Sequence, residues 1–257
     1  MLHTFLKAAR NPSYALHELP NWLDNQLKIS ELARVTNRKA GIGERILVKD
    51  WQSMRESSDL GNLAHLQRYE WVLPLVKTSK LLLDDGCGSG YGTYYLAING
   101  VNSVTGIDIS RDAIKFAQKY YQARNLLFRK MDCCALQFEP ESFDAIVCFD
   151  VVEHIPYDKK DRFVAETAKV LKPEGTLFVG CPNGTPGCKD NPFHYELDKA
   201  MFVELVSRYY ENIRLLGQHT GGQDIRFDNL VIREKDADSA FGLLAVCKNA
   251  IKRRKGQ

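Results

Sequence analysis

The feature that most constrains the fold is an alternation, from about residue 80 onward, of short apolar runs with segments of helical periodicity. Short runs rich in Val, Ile, Leu and Phe are typical of buried parallel strands joined by helical crossovers. We therefore predict an α/β fold, a doubly wound and mostly parallel sheet. The predicted strands are residues 80–85, 103–108, 126–131, 143–149, 175–181, 212–217 and 241–247, of which the last two are expected to pair antiparallel.

Helical patterns lie between these strands and before them, and they divide the 257-residue chain. The predicted helices of the sheet region are residues 61–77, 92–99, 111–123, 159–171 and 198–209. Because the helix at 61–77 leads directly into the first strand, we place a boundary near residue 60. We predict an N-terminal helical extension over 1–60, a main domain over 61–250 and a basic tail over 251–257.

The formal charge of +3 conceals a division along the chain. Residues 1–40 carry +3 and residues 248–257 carry +5, so the 207 residues between them carry −5. An acidic body disfavours a nucleic-acid-binding protein. The basic ends are consistent either with a docked helix and a solvated tail or with peripheral contact to an anionic membrane.

The seven cysteines lie mostly in apolar runs without zinc-finger spacing. This pattern favours reduced thiols in a cytoplasmic protein and no metal site. No apolar stretch approaches the ~20 residues that a membrane span needs.

The most specific motif is a glycine-rich turn between the first strand and the next helix, LLLDDGCGSGYG over residues 81–92. Such glycines let the backbone turn tightly and bring main-chain N–H groups to a nucleotide-like ligand. A dinucleotide fingerprint would have glycine where Tyr91 stands. Asp84, two residues before the first glycine, would repel a pyrophosphate but suit a ligand that bears an ammonium group. We therefore favour an amino-acid-containing cofactor over NAD.

Two further acids follow the next two strands. Asp108 ends the second strand, where a carboxylate can accept hydrogen bonds from both hydroxyls of a ribose. Asp132 follows the third strand and is placed to accept from an adenine amino group. Three acids at successive strand ends should converge on one crevice, because open α/β sheets bind ligands there.

These motifs, with GIDIS, MDCCALQFEPESFDAIVCFDVVEHI and LKPEGTLFVGCPNG, resemble the class I S-adenosylmethionine-dependent methyltransferases of the methyltransferase-11/23 type over about residues 61–220. The resemblance implies a seven-stranded, Rossmann-like sheet and S-adenosylmethionine as the cofactor. The segment from Cys181 onward is similar to enzymes that accompany bacterial surface-polysaccharide pathways. By analogy, this indicates a small-molecule or glycan acceptor, methylated at a hydroxyl oxygen.

The resemblance also implies the residues that bind the cofactor. Asp84 and the loop of Gly86, Cys87, Gly88 and Gly90 would hold the methionine part. The remaining implied contacts are Asp108 with the ribose hydroxyls, Ile109 on the adenine face, Asp132 and the Cys133 amide at the adenine edge, the Asp150 backbone beside the sulfonium, and Arg68 or Tyr69 at the carboxylate. Asp85 departs from the family pattern, which has an apolar residue there, and we expect its side chain to point to the opposite face.

Two histidines are candidates for a general base. His154 follows the fourth strand in DVVEHI, and His194 lies in the loop after the fifth strand. A hydroxyl acceptor benefits from a base, although positioning alone supplies much of the rate of an in-line displacement. The alternative for each histidine is a structural role in its loop. N- or C-methylation of an amino sugar or quinone-type acceptor, and a non-catalytic cofactor-binding scaffold, also remain open.

Overall fold

The computed structural model describes residues 51–57, 59–184, 195–222 and 226–251. Most of the predicted N-terminal extension, His194 and nearly all of the basic tail lie outside the described residues. The predicted domain boundaries therefore stay predictions.

A single mixed sheet of eight strands organises the described chain, in the order β3-β2-β1-β4-β5-β8-β6-β7. The strands are β1 (Leu82–Asp85), β2 (Val104–Asp108), β3 (Leu126–Lys130), β4 (Phe143–Phe149), β5 (Leu171–Pro182), β6 (Tyr210–Thr220), β7 (Leu230–Arg233) and β8 (Gly242–Ala250). Strands β1 to β5 are parallel, and the last three pair antiparallel. The predicted doubly wound α/β fold is confirmed.

Six helices accompany the sheet in the described ranges. They are α1 (Trp51–Arg55), α2 (Leu60–Val76), α3 (Tyr91–Ile98), α4 (Arg111–Tyr120), α5 (Tyr157–Val170) and α6 (Lys199–Ser207). Local capping sets several of their starts: Asp59 accepts a hydrogen bond from the Asn62 amide, and Ser110 accepts one from Ala113. Such caps satisfy backbone donors that a helix leaves unpaired at its first turn.

The strand count corrects the prediction of seven. The additional strand, β7, has only four residues and pairs with β6 at the sheet edge, so it is too short to show a periodicity in the sequence. The predicted pairing of residues 212–217 with 241–247 is confirmed, since Ile213 lies opposite Cys247. However, β8 is not an edge strand, because it is inserted between β5 and β6.

Side-chain alternation along the strands builds a core on each face of the sheet. Leu82 belongs to the core formed with α2, α3 and α4, whereas Leu83 belongs to the core formed with α5 and α6. Helices on both faces explain why the central strands are apolar along their whole length. None of the helices in the described ranges is long and apolar enough to cross a bilayer.

Candidate active site

The glycine loop joins β1 to α3 at the carboxyl edge of the sheet. Gly86, Gly88 and Gly90 all have positive φ, at 84°, 55° and 91°. Residues with a Cβ rarely adopt this conformation, which accounts for glycine at these three positions. The Gly86 and Cys87 amides both donate to the Ile107 carbonyl, at 2.9 and 2.8 Å, so the loop is fixed to the end of β2.

Asp108 closes the loop from the β2 side. Its carboxylate accepts hydrogen bonds from the Gly88 amide at 3.0 Å and the Ser110 amide at 2.7 Å. A carboxylate has about four lone-pair sites and can accept several hydrogen bonds at once. Asp108 also borders a cavity, which places this acceptor capacity where ribose hydroxyls are expected.

Asp84 lies behind the loop. Its carboxylate accepts hydrogen bonds from the Thr93 hydroxyl at 2.6 Å and from the Tyr69 hydroxyl at 3.1 Å, and the side chain is not part of the cavity wall. Burial raises its pKa to about 7, although the Thr93 and Tyr69 hydrogen bonds oppose the shift. Asp84 therefore fixes α2 and α3 beneath the loop, and its contact with a ligand stays a prediction.

Asp85 has the opposite surroundings. Alternation directs its side chain to the face of Leu83, as expected. It is fully buried, and neither carboxylate oxygen has a hydrogen-bond partner within the described chain. Burial, and after it the charge of Asp84, raises the pKa of Asp85 well above its usual range. An isolated buried carboxyl of this kind destabilises the fold unless a ligand or water satisfies it.

The turn after β3 presents Asp132, Cys133 and Cys134. The Asp132 carboxylate accepts a hydrogen bond from the Cys134 amide at 2.8 Å, and both Asp132 and Cys133 border the cavity. The potential ligand atoms of these three residues lie within 4.8 Å of one another. Among the described residues, this group could therefore hold a metal ion by its geometry. The contact of Asp132 and Cys133 with an adenine edge stays a prediction.

Asp150 directly follows β4 and has an unusual backbone conformation, with φ of 55°. Its carboxylate pairs with the Arg68 guanidinium and lies 2.9 Å from Nε2 of His65. Burial alone would raise the pKa of Asp150, but the charge of Arg68, together with the contact of His65, outweighs burial and holds this pKa well below its usual range. A left-handed residue at the end of a strand is a strained conformation of the kind found at functional sites.

Gln218 of β6 extends the contacts of Asp150, Arg68 and His65 by binding Arg68. Its side-chain oxygen accepts from Arg68 Nε at 2.9 Å, and its amide group donates to the Ala64 carbonyl at 3.1 Å and to Gln67 at 2.7 Å. Arg68, expected at the cofactor carboxylate, is therefore already held by Asp150 and Gln218. It still borders the cavity.

The cavity joins these groups and has a volume of about 1000 Å³, ample for a cofactor and part of an acceptor. Of the sequence-predicted residues, those on its wall are Arg68, Tyr69, Gly86, Cys87, Gly88, Asp108, Ile109, Asp132, Cys133, Asp150 and His154. Asp84 and Gly90 lie behind that wall, and His194 is outside the described residues. Ile109 is 62% exposed, which leaves its face free for an aromatic ring.

The cavity wall is richer in acids than in cations. Asp85, Asp108, Asp132, Asp150 and Glu153 border it, against Arg68 and Lys159 with two histidines. Burial and the charge of Asp150 raise the pKa of Glu153 well above its usual range. Asp85 and Glu153 thus favour their neutral forms and Asp150 is paired with Arg68, so Asp108 and Asp132 are the acids of the wall that favour a cationic ligand, such as one carrying a sulfonium and an ammonium group.

Sequence reasoning missed His65, Gln218 and Glu153 as residues of the site. His65 and Gln218 are distant in sequence from every motif, and only the packing of α2 against β6 brings them to Asp150. Glu153 stands inside a quoted motif, but its burial could not be read from that motif. For His65 there was a weak signal, since it lies one helical turn before Tyr69, on the predicted helix of residues 61–77.

Comparison with known proteins finds similarity to methyltransferases. Residues 83–179 match the family described as "Methyltransferase domain". A segment of 125 residues, 48% of this chain and 45% of its relative, is 37% identical to the phthiotriol/phenolphthiotriol dimycocerosates methyltransferase of Mycobacterium leprae. Another, 42% of this chain and 46% of its relative, is 31% identical to the ubiquinone biosynthesis O-methyltransferase of Neisseria meningitidis. The matches thus span less than half the length of these curated relatives.

The fold has solved counterparts as well. The magnesium protoporphyrin IX methyltransferase of Synechocystis, solved with bound S-adenosylhomocysteine, superposes with a TM-score of 0.54 at 17% identity over 77% of this chain and 92% of its own. Fold and site together define a Rossmann-like α/β protein with a cavity at the carboxyl edge of its sheet. Within it, residues 83–179 are similar to the methyltransferase domain family, as the motifs predicted.

Proposed function

We propose that this protein transfers a methyl group from S-adenosylmethionine to a hydroxyl oxygen of a small-molecule or glycan acceptor. The observation that carries the proposal is the convergence of the glycine loop, Asp108 and Asp132 on one acid-rich cavity at three adjoining strand ends. Oxygen is favoured because one relative is named as an O-methyltransferase. An acceptor from surface-polysaccharide synthesis remains part of the proposal by analogy alone.

The residues present fit this cofactor. Asp108, whose carboxylate borders the cavity, would hold the ribose hydroxyls, and the exposed Ile109 would cover the adenine face. Asp132 and the Cys133 amide would meet the adenine edge. The Gly86–Gly88 turn would hold the methionine part, with the Asp150 backbone nearby. Arg68 would be a weaker contact, because Asp150 already balances its charge.

When bound, the cofactor supplies an activated methyl group on a sulfonium centre. The protein must then place the acceptor oxygen in line with that methyl group and exclude water. Pre-organisation of two reactants in this way supplies a large part of the rate enhancement. The rigid supports described above, from Asp84 beneath the loop to Gln218 behind Arg68, suit this positioning role.

Two linked measurements test the proposal. We expect Asp108→Asn to weaken S-adenosylmethionine binding at least about tenfold in calorimetry. The amide has an NH2 donor in place of one carboxylate oxygen, so it loses half of the acceptors that the ribose hydroxyls need. Asp112→Asn, an exposed acid on the next helix, is the matched control and should bind normally. Equal affinity of the wild type and the Asp108 variant would remove the assigned cofactor site.

Turnover is measured with a tritiated methyl group over nucleotide sugars, glycolipids and polyprenyl catechols. Label in an ether product supports O-methylation. Label on nitrogen or carbon would replace the proposal with one of its alternatives. Tight cofactor binding without label in any product would favour the non-catalytic scaffold.

A further inference from the structure

We propose that His65 is the general base that takes the proton of the acceptor hydroxyl, and that Asp150 orients and stabilises it. This inference rests on the proposed function, since it names a group for the same methyl transfer. His65 borders the cavity, and its side chain is 25% exposed. Its Nε2 lies 2.9 Å from Asp150 Oδ2, whereas its Nδ1 has no partner within the described ranges.

A histidine held by a carboxylate is the arrangement that general-base catalysis requires. Nε2 lies within hydrogen-bond distance of Asp150 Oδ2, and donation from an Nε2–H there would fix the tautomer and leave the lone pair of Nδ1 to accept a proton. Once protonated, the ring is stabilised by the adjacent carboxylate. The geometry therefore provides an oriented base on the wall of a cavity that has room for an acceptor.

The supports of this pair are unusually complete. Arg68 holds the same Asp150 carboxylate, and Gln218 holds both Arg68 and the Ala64 carbonyl of the helix that carries His65. Movement of helix α2 relative to Asp150 would therefore break several buried hydrogen bonds. A base fixed in this way keeps its orientation without any rearrangement when the acceptor binds.

The pair also lies on the cofactor side of the cavity. Val151, the residue after Asp150, packs so closely on Gly86 that a Cβ there would come within 2.2 Å of Val151 Cγ2. The turn that carries Asp150 therefore abuts the first glycine of the loop. This contact places the His65–Asp150 pair next to the proposed methionine subsite, where the methyl group has to be.

The step balances as follows. The acceptor O–H bond breaks and its proton moves to Nδ1 of His65, while the oxygen forms a bond to the methyl carbon. The electrons of the carbon–sulfur bond remain on sulfur, which loses its positive charge. The imidazolium later releases its proton to water, and no oxidant or reductant is needed.

His154 is the rival base on the same wall. It is exposed and has an interaction partner. It borders the cavity and lies in the turn after β4. A purely structural role is the rival explanation for His65, because its contact with Asp150 also fastens α2 to the sheet. The experiment has to separate our proposal from both.

The test compares His65→Ala and His154→Ala on the acceptor that the wild type methylates fastest in the tritium screen. We expect His65→Ala to lower kcat about 100-fold or more, the usual range for loss of a general base, with S-adenosylmethionine affinity unchanged. Added imidazole should then restore a substantial part of kcat in His65→Ala, because it can occupy the vacated site. The wild type should gain nothing from imidazole.

Three results would overturn the proposal. In the first, His65→Ala keeps a kcat close to that of the wild type. In the second, imidazole restores His154→Ala but not His65→Ala, which would make His154 the base. In the third, His65→Ala loses cofactor affinity in parallel with kcat and imidazole does not help, which would leave a structural role. If the wild type methylates no hydroxyl at all, the proposed function fails, and the base assignment fails with it.

Discussion

Asp84 and Asp85 are adjacent acids whose surroundings are opposite. Asp84 accepts hydrogen bonds from two hydroxyls, whereas both oxygens of Asp85 are buried without a partner in the described chain. A buried polar group without a hydrogen bond costs about 1–3 kcal/mol. The same residue type therefore stabilises the fold at one position and destabilises it at the next.

We predict that Asp85→Val raises the free energy of unfolding of the cofactor-free protein by about 1–3 kcal/mol. The gain should be larger at pH 8 than at pH 5. Burial raises the pKa of Asp85 in the folded protein, so the folded state binds the proton more tightly than the unfolded chain. Stability is then lost as the pH rises from about 4 through the raised pKa. Urea denaturation at both pH values measures the difference.

Asp84→Val is the matched control for this prediction. It should lower stability at pH 5, where Asp84, with a pKa of about 7, is protonated, because it leaves the buried Tyr69 hydroxyl without an acceptor. If Asp85→Val is destabilising at both pH values, the Asp85 carboxyl has a hydrogen-bond partner and does not destabilise the fold.

At the scale of elements, the packing of α2 on α3 decides how the loop is supported. Gly92 lies directly beneath the Tyr69 ring, and a Cβ at this position would come within 2.0 Å of Tyr69 Cζ. Tyr69 in turn donates to Asp84. The glycine is thus required by the approach of two helices, and the motif GYG alone could not show it.

We predict that Gly92→Ala destabilises the protein by about 1–3 kcal/mol through overpacking, in spite of the better helix propensity of alanine. Cofactor affinity should fall as well, because a displaced Tyr69 no longer fixes Asp84. Denaturant midpoints and calorimetry measure the two effects. Gly222→Ala is the control, since the nearest atom to its Cβ would be 3.8 Å away. Equal midpoints for both variants would contradict the packing argument.

The sequence predicted most elements because their signals are local. The apolar runs of β1 to β5 and the glycine turn each depend on neighbours in the chain. What could not be predicted depends on packing between distant segments. The meeting of His65, Asp150 and Gln218 joins three elements, and the position of β8 inside the sheet follows from strand pairing rather than from any periodicity.

The whole molecule combines an acidic body with a cavity that spans residues of both cores. The cavity wall includes Tyr69 from the core beneath α2 and Ile155 from the core beneath α5. A ligand that fills this cavity contacts residues of both hydrophobic cores, one on each face of the sheet. Its binding energy should therefore stabilise the folded domain as one unit.

We predict that S-adenosylmethionine at a hundred times its Kd adds about 2.7 kcal/mol to the free energy of unfolding. For a domain of this size, this is a rise in Tm of roughly 5–10 °C. NAD at the same concentration should leave the Tm unchanged, because Tyr91 and the acid-rich wall disfavour a pyrophosphate. Differential scanning fluorimetry checks both ligands. A shift with NAD as large as that with S-adenosylmethionine would contradict the cofactor assignment.

The insertion of β8 between β5 and β6 also sets an order of assembly. Strand β6 is connected to the parallel strands only through β8, which follows it by more than twenty residues in the chain. During synthesis, the glycine loop and β1 to β5 can emerge and fold first. Gln218 can dock beneath Arg68 only after the ribosome has released β8. The cofactor loop is therefore made early in translation, whereas the Asp150 network is completed late.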